Sequence, residues 1–362
     1  MKVGIITKIG KNYGALLQAY ALRKMCEKNG AEAHILKYTP KISRDSYKVC
    51  KYRWRFKGTI VNIQSLLHYA DNKKSSERFL QFRDEEFHFL GDYNSYEEMK
   101  TFPPVCDVYI SGSDQVWNPD ISFDNAFYFS CISKENVKLA SYAASIGLQS
   151  LPNELKTEFR RRVSRFDYVS VREKQAQKIL AELGIKSDVS PDPTLLLDRE
   201  EWNAIACEII KEPYILCYFV SYPKGIEKVV KEVQKKYGKK CLIVNLMTSE
   251  ESSRIGDIKI RDAGPREFLG LFKNASYVIT SSFHGTVFSI INRKPFVTTL
   301  YKSTSSRVVE LLYTLSLEDR IISPTNYNAH RIFEEQIYDK EFEKRFAVLK
   351  QVGNKTIKKI LE

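Results

Sequence analysis

The chain opens with Met1-Lys2-Val3-Gly4-Ile5-Ile6-Thr7, a short apolar stretch that predicts a β-strand. A glycine-bounded turn follows at residues 10–14, and apolar residues then recur at four-residue intervals across 15–28, which predicts a helix. A second apolar strand spans 33–38 and stops before Pro40. This strand–helix–strand order favours a parallel sheet and therefore an α/β fold.

The same alternation continues to the end of the chain. At roughly 100–200 residues per domain, 362 residues suggest two domains. We expect an N-terminal domain over 1–200, a second over 201–327, and C-terminal helices over 328–362 that pack back on the first. Two such domains imply a cleft, and open α/β sheets bind ligands beyond the carboxyl ends of their strands.

Composition excludes several classes of protein. The hydrophobic share of 43% is too high for a disordered or fibrous chain. No apolar run approaches the ~18 residues of a membrane helix, and the opening strand is too short for a signal peptide, so we expect a cytoplasmic protein. The seven cysteines form no CxxC pair and the five histidines show no zinc spacing, so we expect free thiols and no metal.

The positive charge is concentrated in one segment. Residues 41–57 hold seven basic side chains and one acid, with four aromatic residues between them, and supply +6 of the net +13. Nucleic acid, an anionic membrane and a phosphate-bearing substrate all suit such a basic segment, and so does a solvated surface loop.

His284 is the strongest candidate for chemistry. It follows the predicted strand 276–280 and precedes a helix, and its neighbours Ser281, Ser282 and Gly285 are small. The free N–H groups at a helix N-terminus bind anions, and serine hydroxyls can join them. The alternative is a structural histidine beside a helix cap.

Two arginines are candidates for holding an anion. Arg172 lies directly after a predicted strand, where its guanidinium could bind a carboxylate or phosphate through paired hydrogen bonds. A surface arginine paired with Glu173 is the alternative. Arg307, next to Ser305 and Ser306, is a weaker candidate of the same kind.

Two further loops suggest sugar contacts. Asp114 and Trp117 lie in a Gly/Ser-rich loop, where a carboxylate can accept from sugar hydroxyls and an indole can cover the apolar sugar face. Core packing is the alternative for Trp117. Asn12 and Tyr13 lie in the first strand–helix loop and could contact either substrate. The P-loop, dinucleotide, zinc-protease and α/β-hydrolase motifs are absent from the sequence.

Seven motifs, in order along the chain, resemble the polysaccharide pyruvyl transferase family. They are 12–22 (NYGALLQAYAL), 111–119 (SGSDQVWNP), 141–147 (SYAASIG), 170–173 (SVRE), 192–197 (DPTLLL), 262–265 (DAGP) and 282–286 (SFHGT). The resemblance implies two Rossmann-like domains of the glycosyltransferase-B type. It also implies transfer of pyruvate from phosphoenolpyruvate, as co-substrate and without a cofactor, to a sugar as a cyclic ketal.

The resemblance also implies roles for individual residues. His284 matches the catalytic histidine and Arg172 the arginine that holds phosphoenolpyruvate. The donor contacts would then be Arg172 of the first domain together with Ser282, Phe283, Gly285 and Arg307 of the second. The acceptor contacts would be Asn12, Tyr13, Asp114 and Trp117. One departure is Ser282, where some members carry arginine, so Arg307, Arg293 or Lys302 would have to supply the second positive charge.

Other functions stay open at this point. A nucleotide-sugar glycosyltransferase shares the expected fold, and a non-enzymatic protein could use 41–57 on a membrane or nucleic acid. If the chain is a member of this family, the basic segment 41–57 would bind a lipid-linked oligosaccharide acceptor. Such acceptors of capsule or exopolysaccharide synthesis lie at the inner face of the cytoplasmic membrane. No nucleic-acid partner is then expected.

Overall fold

A computed structural model describes residues 1–48, 67–300, 305–328, 332–333 and 337–362. These residues form two compact units. The first contains 1–48, 80–197 and 348–362, and the second contains 67–79 and the described part of 198–347. The basic segment beyond Lys48 and the candidate Lys302 lie outside the described residues.

The first unit is built on a parallel five-stranded sheet with the order β3-β2-β1-β4-β5. A parallel pair, β6-β7, adjoins β5 through single bridges from Tyr168 to Ala140 and from Val171 to Ala144. The strands are β1 Lys2–Ile6, β2 Glu32–Tyr38, β3 Phe89–Tyr93, β4 Val108–Ser111, β5 Lys138–Ser141, β6 Ser170–Val171 and β7 Asp188–Val189. The helices that begin before residue 198 are α1 Tyr13–Lys28, α2 Lys41–Tyr47, α3 Tyr69–Glu86, α4 Tyr96–Thr101, α5 Asn153–Val163 and α6 Lys174–Glu182.

The second unit has a parallel six-stranded sheet with the order β10-β9-β8-β11-β12-β13. Its strands are β8 Tyr214–Tyr218, β9 Leu242–Leu246, β10 Ile258–Ile260, β11 Tyr277–Thr280, β12 Phe296–Thr299 and β13 Ile321–Ile322. The remaining helices are α7 Arg199–Ala204, α8 Ile226–Tyr237, α9 Pro265–Asn274, α10 Phe283–Ile291, α11 Ser305–Thr314 and α12 Lys340–Leu361. The predicted α/β class with two parallel-sheet, Rossmann-like domains is confirmed.

Burial explains why the central strands form. Every residue of β8 and of β11 is buried, as expected for parallel strands that helices cover on both faces. Continuous apolar runs such as Tyr214-Ile215-Leu216-Cys217-Tyr218 supply that environment. Within the described residues, no helix is both long and apolar enough to cross a bilayer.

The units are not contiguous in sequence, which differs from the expected 1–200 and 201–327. Residues 67–79 group with the second unit. There Arg78 Nη1 donates to the carbonyl of Asp262 (2.9 Å), and Lys74 forms an ion pair with the Asp262 carboxylate (2.7 Å). A Cβ at Gly264 would lie 2.5 Å from the Arg78 Cβ, so glycine at this position permits the close approach.

The end of the chain is divided as well. Residues 340–347 group with the second unit and 348–362 with the first. In the first unit the Thr356 and Ser190 hydroxyls lie 2.8 Å apart, and Lys138 Nζ donates to the carbonyl of Lys359 (2.8 Å). Ile357 and Ile360 are fully enclosed, so this last helical segment belongs to the core of the first unit.

Candidate functional site

The turn after β11 positions His284. Only Ser281 and Ser282 separate the strand from α10, so His284 lies in the first turn of the helix. The Ser282 hydroxyl caps the helix by accepting from the backbone N–H of Gly285 (3.3 Å). The Thr280 hydroxyl accepts from the Ser282 N–H (3.0 Å), so the turn is closed by neutral hydrogen bonds.

Gly285 is required at the point where the helix meets the strand. A Cβ there would lie 2.3 Å from Thr280 Oγ1, closer than any stable contact. The absence of a side chain at Gly285 therefore lets α10 begin against the end of β11. The N–H groups of that first turn form the positive end of the helix dipole beside His284.

A second loop stabilises this turn. The Ser281 hydroxyl donates to the carbonyl of Ser221 (2.8 Å) and accepts from its N–H (3.3 Å), which joins the turn to the residues after β8. Burial raises the pKa of the Tyr218 phenol to about 12, and its hydrogen bond with Ser282 opposes that shift. Tyr218 is therefore a neutral hydroxyl beneath the cap at physiological pH.

Phe283 contacts both candidate polar side chains of this unit. Its ring packs edge-on against the half-buried His284 ring, with 5.1 Å between centroids. The Arg307 guanidinium lies 5.6 Å from the centroid of the same Phe283 ring. Phe283 is itself buried, so its packing holds Arg307 near His284, although the two lie 23 positions apart in the sequence.

Of the other two residues that could replace the missing arginine, Arg293 has a structural role. Its Nε and Nη2 each lie 2.8 Å from an oxygen of Glu343, a bidentate pair. Its guanidinium also lies 4.8 Å from the ring centroids of Phe342 and Phe346. These contacts hold α12 against the end of α10, so among the described residues Arg307, which contacts Phe283, is the remaining candidate for the second positive charge.

Arg172 lies at the end of β6, as predicted, but in a buried charge network. Its Nη1 lies 2.9 Å from Asp192 Oδ2 and its Nε 3.2 Å from Glu173 Oε1. Only 4% of its side chain is exposed, and Ser145 donates to the same Glu173 oxygen (2.6 Å). The expected open anion clamp is therefore not the arrangement observed, because two internal carboxylates already surround the guanidinium. The alternative prediction, an arginine paired with Glu173, describes the contact observed, but the pair is buried inside the unit and not at its surface.

Asp114 extends this network toward the ends of β1 and β4. Its backbone is left-handed (φ 75°), and its carbonyl accepts from the N–H groups of Ser145 (2.9 Å) and Val116 (2.8 Å). Burial disfavours the charged Arg172, but Glu173, Asp192 and Asp114 outweigh it and raise its pKa. The half-buried Asp114 carboxylate is thus held in place by its own main chain.

Lys8 is a member of this cluster that the sequence reasoning missed. Burial lowers the pKa of its ammonium, and the Asp114 carboxylate acts in the opposite direction. Its position two residues after the end of β1 was the available signal, since the same strand-end rule identified Arg172 and Asp114.

The remaining acceptor candidates have local structural roles. Trp117 is fully buried, stacked on Tyr128 (5.8 Å) and edge-on to Phe166 (5.3 Å). It therefore cannot cover a sugar in this structure, and its packing instead anchors the loop that carries Asp114. Asn12 is exposed and caps α1 by accepting from the Ala15 N–H (3.0 Å), while Tyr13 begins that helix partly buried. Among the described residues, no group of three or more His, Cys, Asp or Glu side chains could hold a metal ion.

Comparison with known proteins identifies a family and a fold. The family model for polysaccharide pyruvyl transferase matches residues 12–303. The UDP-GlcNAc 2-epimerase from Methanocaldococcus jannaschii is similar in structure over 100% of this chain and 99% of its own, with a TM-score of 0.54 and 14% identity. A putative UDP-N-acetylglucosamine 2-epimerase from Listeria monocytogenes is similar over 100% of this chain and 94% of its own, with a TM-score of 0.54 and 12% identity. At these identities the likeness shows the fold alone, and no curated protein sequence matches significantly.

Proposed function

The chain belongs to the polysaccharide pyruvyl transferase family, and we propose that it transfers a pyruvyl group from phosphoenolpyruvate to a sugar. The product is a cyclic ketal on a surface polysaccharide, of the capsule or exopolysaccharide type, or on its lipid-linked precursor. The observation that supports this most directly is the His284 turn. It combines a titratable ring and a helix N-terminus inside the matched region with Arg307, which lies just beyond the end of that region.

The donor suits this turn because of its charge. Phosphoenolpyruvate carries a carboxylate and a phosphate, and the N–H groups at the start of α10 favour such anions. Ser282 and Gly285 shape that N-terminus, and Phe283 places Arg307 beside it. Arg307 then supplies the positive charge that some family members place at the position of Ser282.

His284 is the proposed general acid and base. As the acid it gives a proton to the terminal vinyl carbon of phosphoenolpyruvate, which becomes the methyl group of the ketal. One sugar hydroxyl attacks C2 and returns its proton to the imidazole. The C2–O bond to phosphate then breaks, and a second hydroxyl closes the ring while its proton leaves with the phosphate. Atoms and charges balance with inorganic phosphate as the other product.

Asp114, Asn12 and Tyr13 are the proposed acceptor contacts. Asp114 has the strongest case, because its carboxylate is half-buried at a strand end and can accept from a sugar hydroxyl. Arg172 would act from within the cluster, as a positioning residue that keeps Glu173, Ser145 and hence the Asp114 loop in place.

The location at the inner face of the cytoplasmic membrane is part of the proposal. It depends on the basic segment 41–57, which would attract an anionic lipid surface. Only residues 41–48 of that segment lie within the described chain, where α2 carries Lys41 and Arg44.

The test is incubation with labelled phosphoenolpyruvate and a panel of lipid-linked and nitrophenyl glycosides, with the pyruvyl ketal detected by mass. We expect inorganic phosphate to be released, whereas release of a nucleoside diphosphate from a sugar nucleotide would indicate a glycosyltransferase instead.

Replacing the proposed acid tests its role. His284→Ala should lower turnover by ~10²-fold or more, because general acid–base catalysis typically contributes that much. The matched control is His34→Ala, which removes another partly buried histidine, whose Nε2 lies 2.9 Å from Glu32 Oε1. Full activity in His284→Ala, or an equal loss in His34→Ala, would exclude His284 as the catalytic residue.

A further inference from the structure

The first unit contains a pocket away from the cluster around Arg172. Its volume is about 320 Å³, within the usual range for small-ligand sites. Its lining includes Lys37 and Thr39, at and just after the end of β2, and Asp92 and Asn94, at the end of β3. The pocket thus lies at the carboxyl ends of two parallel strands, where this fold class places ligands.

Arg83 from α3 is the most informative residue of the lining. It is 4% exposed, and its guanidinium lies 5.1 Å from the Tyr47 ring centroid and 5.4 Å from that of Phe89. Its Nε has no hydrogen-bond partner, and among the described residues no carboxylate forms an ion pair with it. A buried cation is normally paired with an anion, so this arrangement has room for one that the described residues do not supply.

The rest of the lining adds to the positive charge. Lys37 is paired with Asp92 (2.6 Å), whereas Arg44 of α2 donates to the neutral Asn94 side chain. Three cations and one carboxylate line the pocket, which leaves two positive charges in excess. Arg44 also belongs to the described half of the basic segment 41–57, so the start of that segment forms part of the pocket lining.

We propose that this pocket binds the phosphate or diphosphate group to which the acceptor sugar is attached. The inference rests on the proposed function for the identity of the acceptor. Guanidinium groups bind phosphate oxygens through paired, charge-assisted hydrogen bonds, and the two aromatic rings fix the plane of Arg83 before the ligand arrives. Lys37 and Arg44 then stand at the same opening as further cations.

The test compares acceptors that differ only at the anomeric substituent. Each sugar is offered as a diphosphate ester and as a neutral nitrophenyl glycoside, to the wild type and to Arg83→Gln and Arg44→Gln. We expect each variant to lower the preference for the diphosphate ester by roughly tenfold or more, as loss of a charge-assisted hydrogen bond requires. Arg160→Gln, which removes an exposed arginine of α5, is the control and should leave the preference unchanged.

Two further measurements separate the possible failures. Arg44 is exposed, so Arg44→Gln keeps the comparison valid even if the buried Arg83→Gln variant loses stability in a thermal melt. Binding of inorganic pyrophosphate, measured by calorimetry, needs no turnover and should weaken in both variants. Weakened pyrophosphate binding without any pyruvyl transfer would reject the proposed function and keep the pocket. Transfer with an unchanged ester preference and unchanged pyrophosphate binding would reject the pocket.

Esters with a short alkyl chain and with a long prenyl chain identify what is bound. An equal loss of preference for both supports recognition of the diphosphate itself. A loss confined to the long-chain ester would overturn the proposal, because the pocket would then act on the lipid.

Discussion

The turn around His284 and the cluster around Arg172 each follow the carboxyl end of a parallel strand, β11 and β6, and are built in opposite ways. The His284 turn is held by neutral hydrogen bonds, which join Ser281 to Ser221, Ser282 to Thr280 and Gly285 to Ser282. The Arg172 cluster is held by buried charges, with Glu173 and Asp192 as its closest partners. Parallel strand ends therefore support two kinds of site. In one, neutral hydrogen bonds surround a histidine, and in the other, buried ion pairs fix an arginine in place.

This difference has an energetic consequence. Neutral hydrogen bonds contribute about 1 kcal/mol each, so a change at the first site should mainly alter chemistry. A buried ion pair that loses one member leaves an uncompensated charge, which costs about 3–5 kcal/mol. Substitutions in the His284 turn should therefore mainly lower activity, and substitutions in the Arg172 cluster should mainly lower stability.

The largest expected effect is on stability. Arg172→Gln should lower the free energy of unfolding by about 3–5 kcal/mol, because it leaves the Glu173 and Asp192 carboxylates buried without their cation. Urea denaturation measures the change, and His284→Ala serves as the comparison with a change of about 1 kcal/mol or less. Unchanged stability together with a raised KM for phosphoenolpyruvate would restore Arg172 to direct donor binding.

An intermediate effect is expected at the two arginines near α10. Arg307→Gln should raise the KM for phosphoenolpyruvate by roughly tenfold or more, the value of one charge-assisted hydrogen bond. Arg293→Gln should lower the melting temperature instead, because Arg293 is committed to Glu343. Steady-state kinetics and thermal melts on both variants test the assignment, and the reverse pattern would exchange the two roles.

The smallest effect is expected at Asn12. Asn12→Ala should cost about 1 kcal/mol, the usual value of a helix N-cap, whereas Asn12→Asp keeps an oxygen for the Ala15 N–H. If Asn12 also contacts the acceptor, both variants raise the acceptor KM although only the alanine variant loses stability. An unaltered KM in both would limit Asn12 to capping α1.

Local patterns were enough to predict the parallel α/β fold and the place of His284. The strand 276–280, two serines and a glycine determine that turn within about ten residues, so no distant contact is needed. The position of Arg172 at a strand end was predictable for the same reason. Its partner Asp192 was not, because the contact depends on how β6 pairs with β7.

The parts that could not be predicted depend on contacts between distant segments. Residues 67–79 join the second unit through Arg78 and Asp262, which are 184 positions apart. Trp117 follows the pattern of an exposed sugar platform, and only the surrounding aromatic residues show that it is enclosed. Arg83 has ordinary sequence surroundings, and its burial is apparent only from the folded chain.

The placement of residues 348–362 bears on how this protein is made. Domains usually fold in the order in which the ribosome synthesises them, N-terminal first. Here the first unit contains the opening β-strand but also the helical segment with Thr356, Ile357 and Ile360. That segment is translated after residues 198–347, so the sheet that contains β1 receives this packing partner only after the intervening part of the other unit has been synthesised.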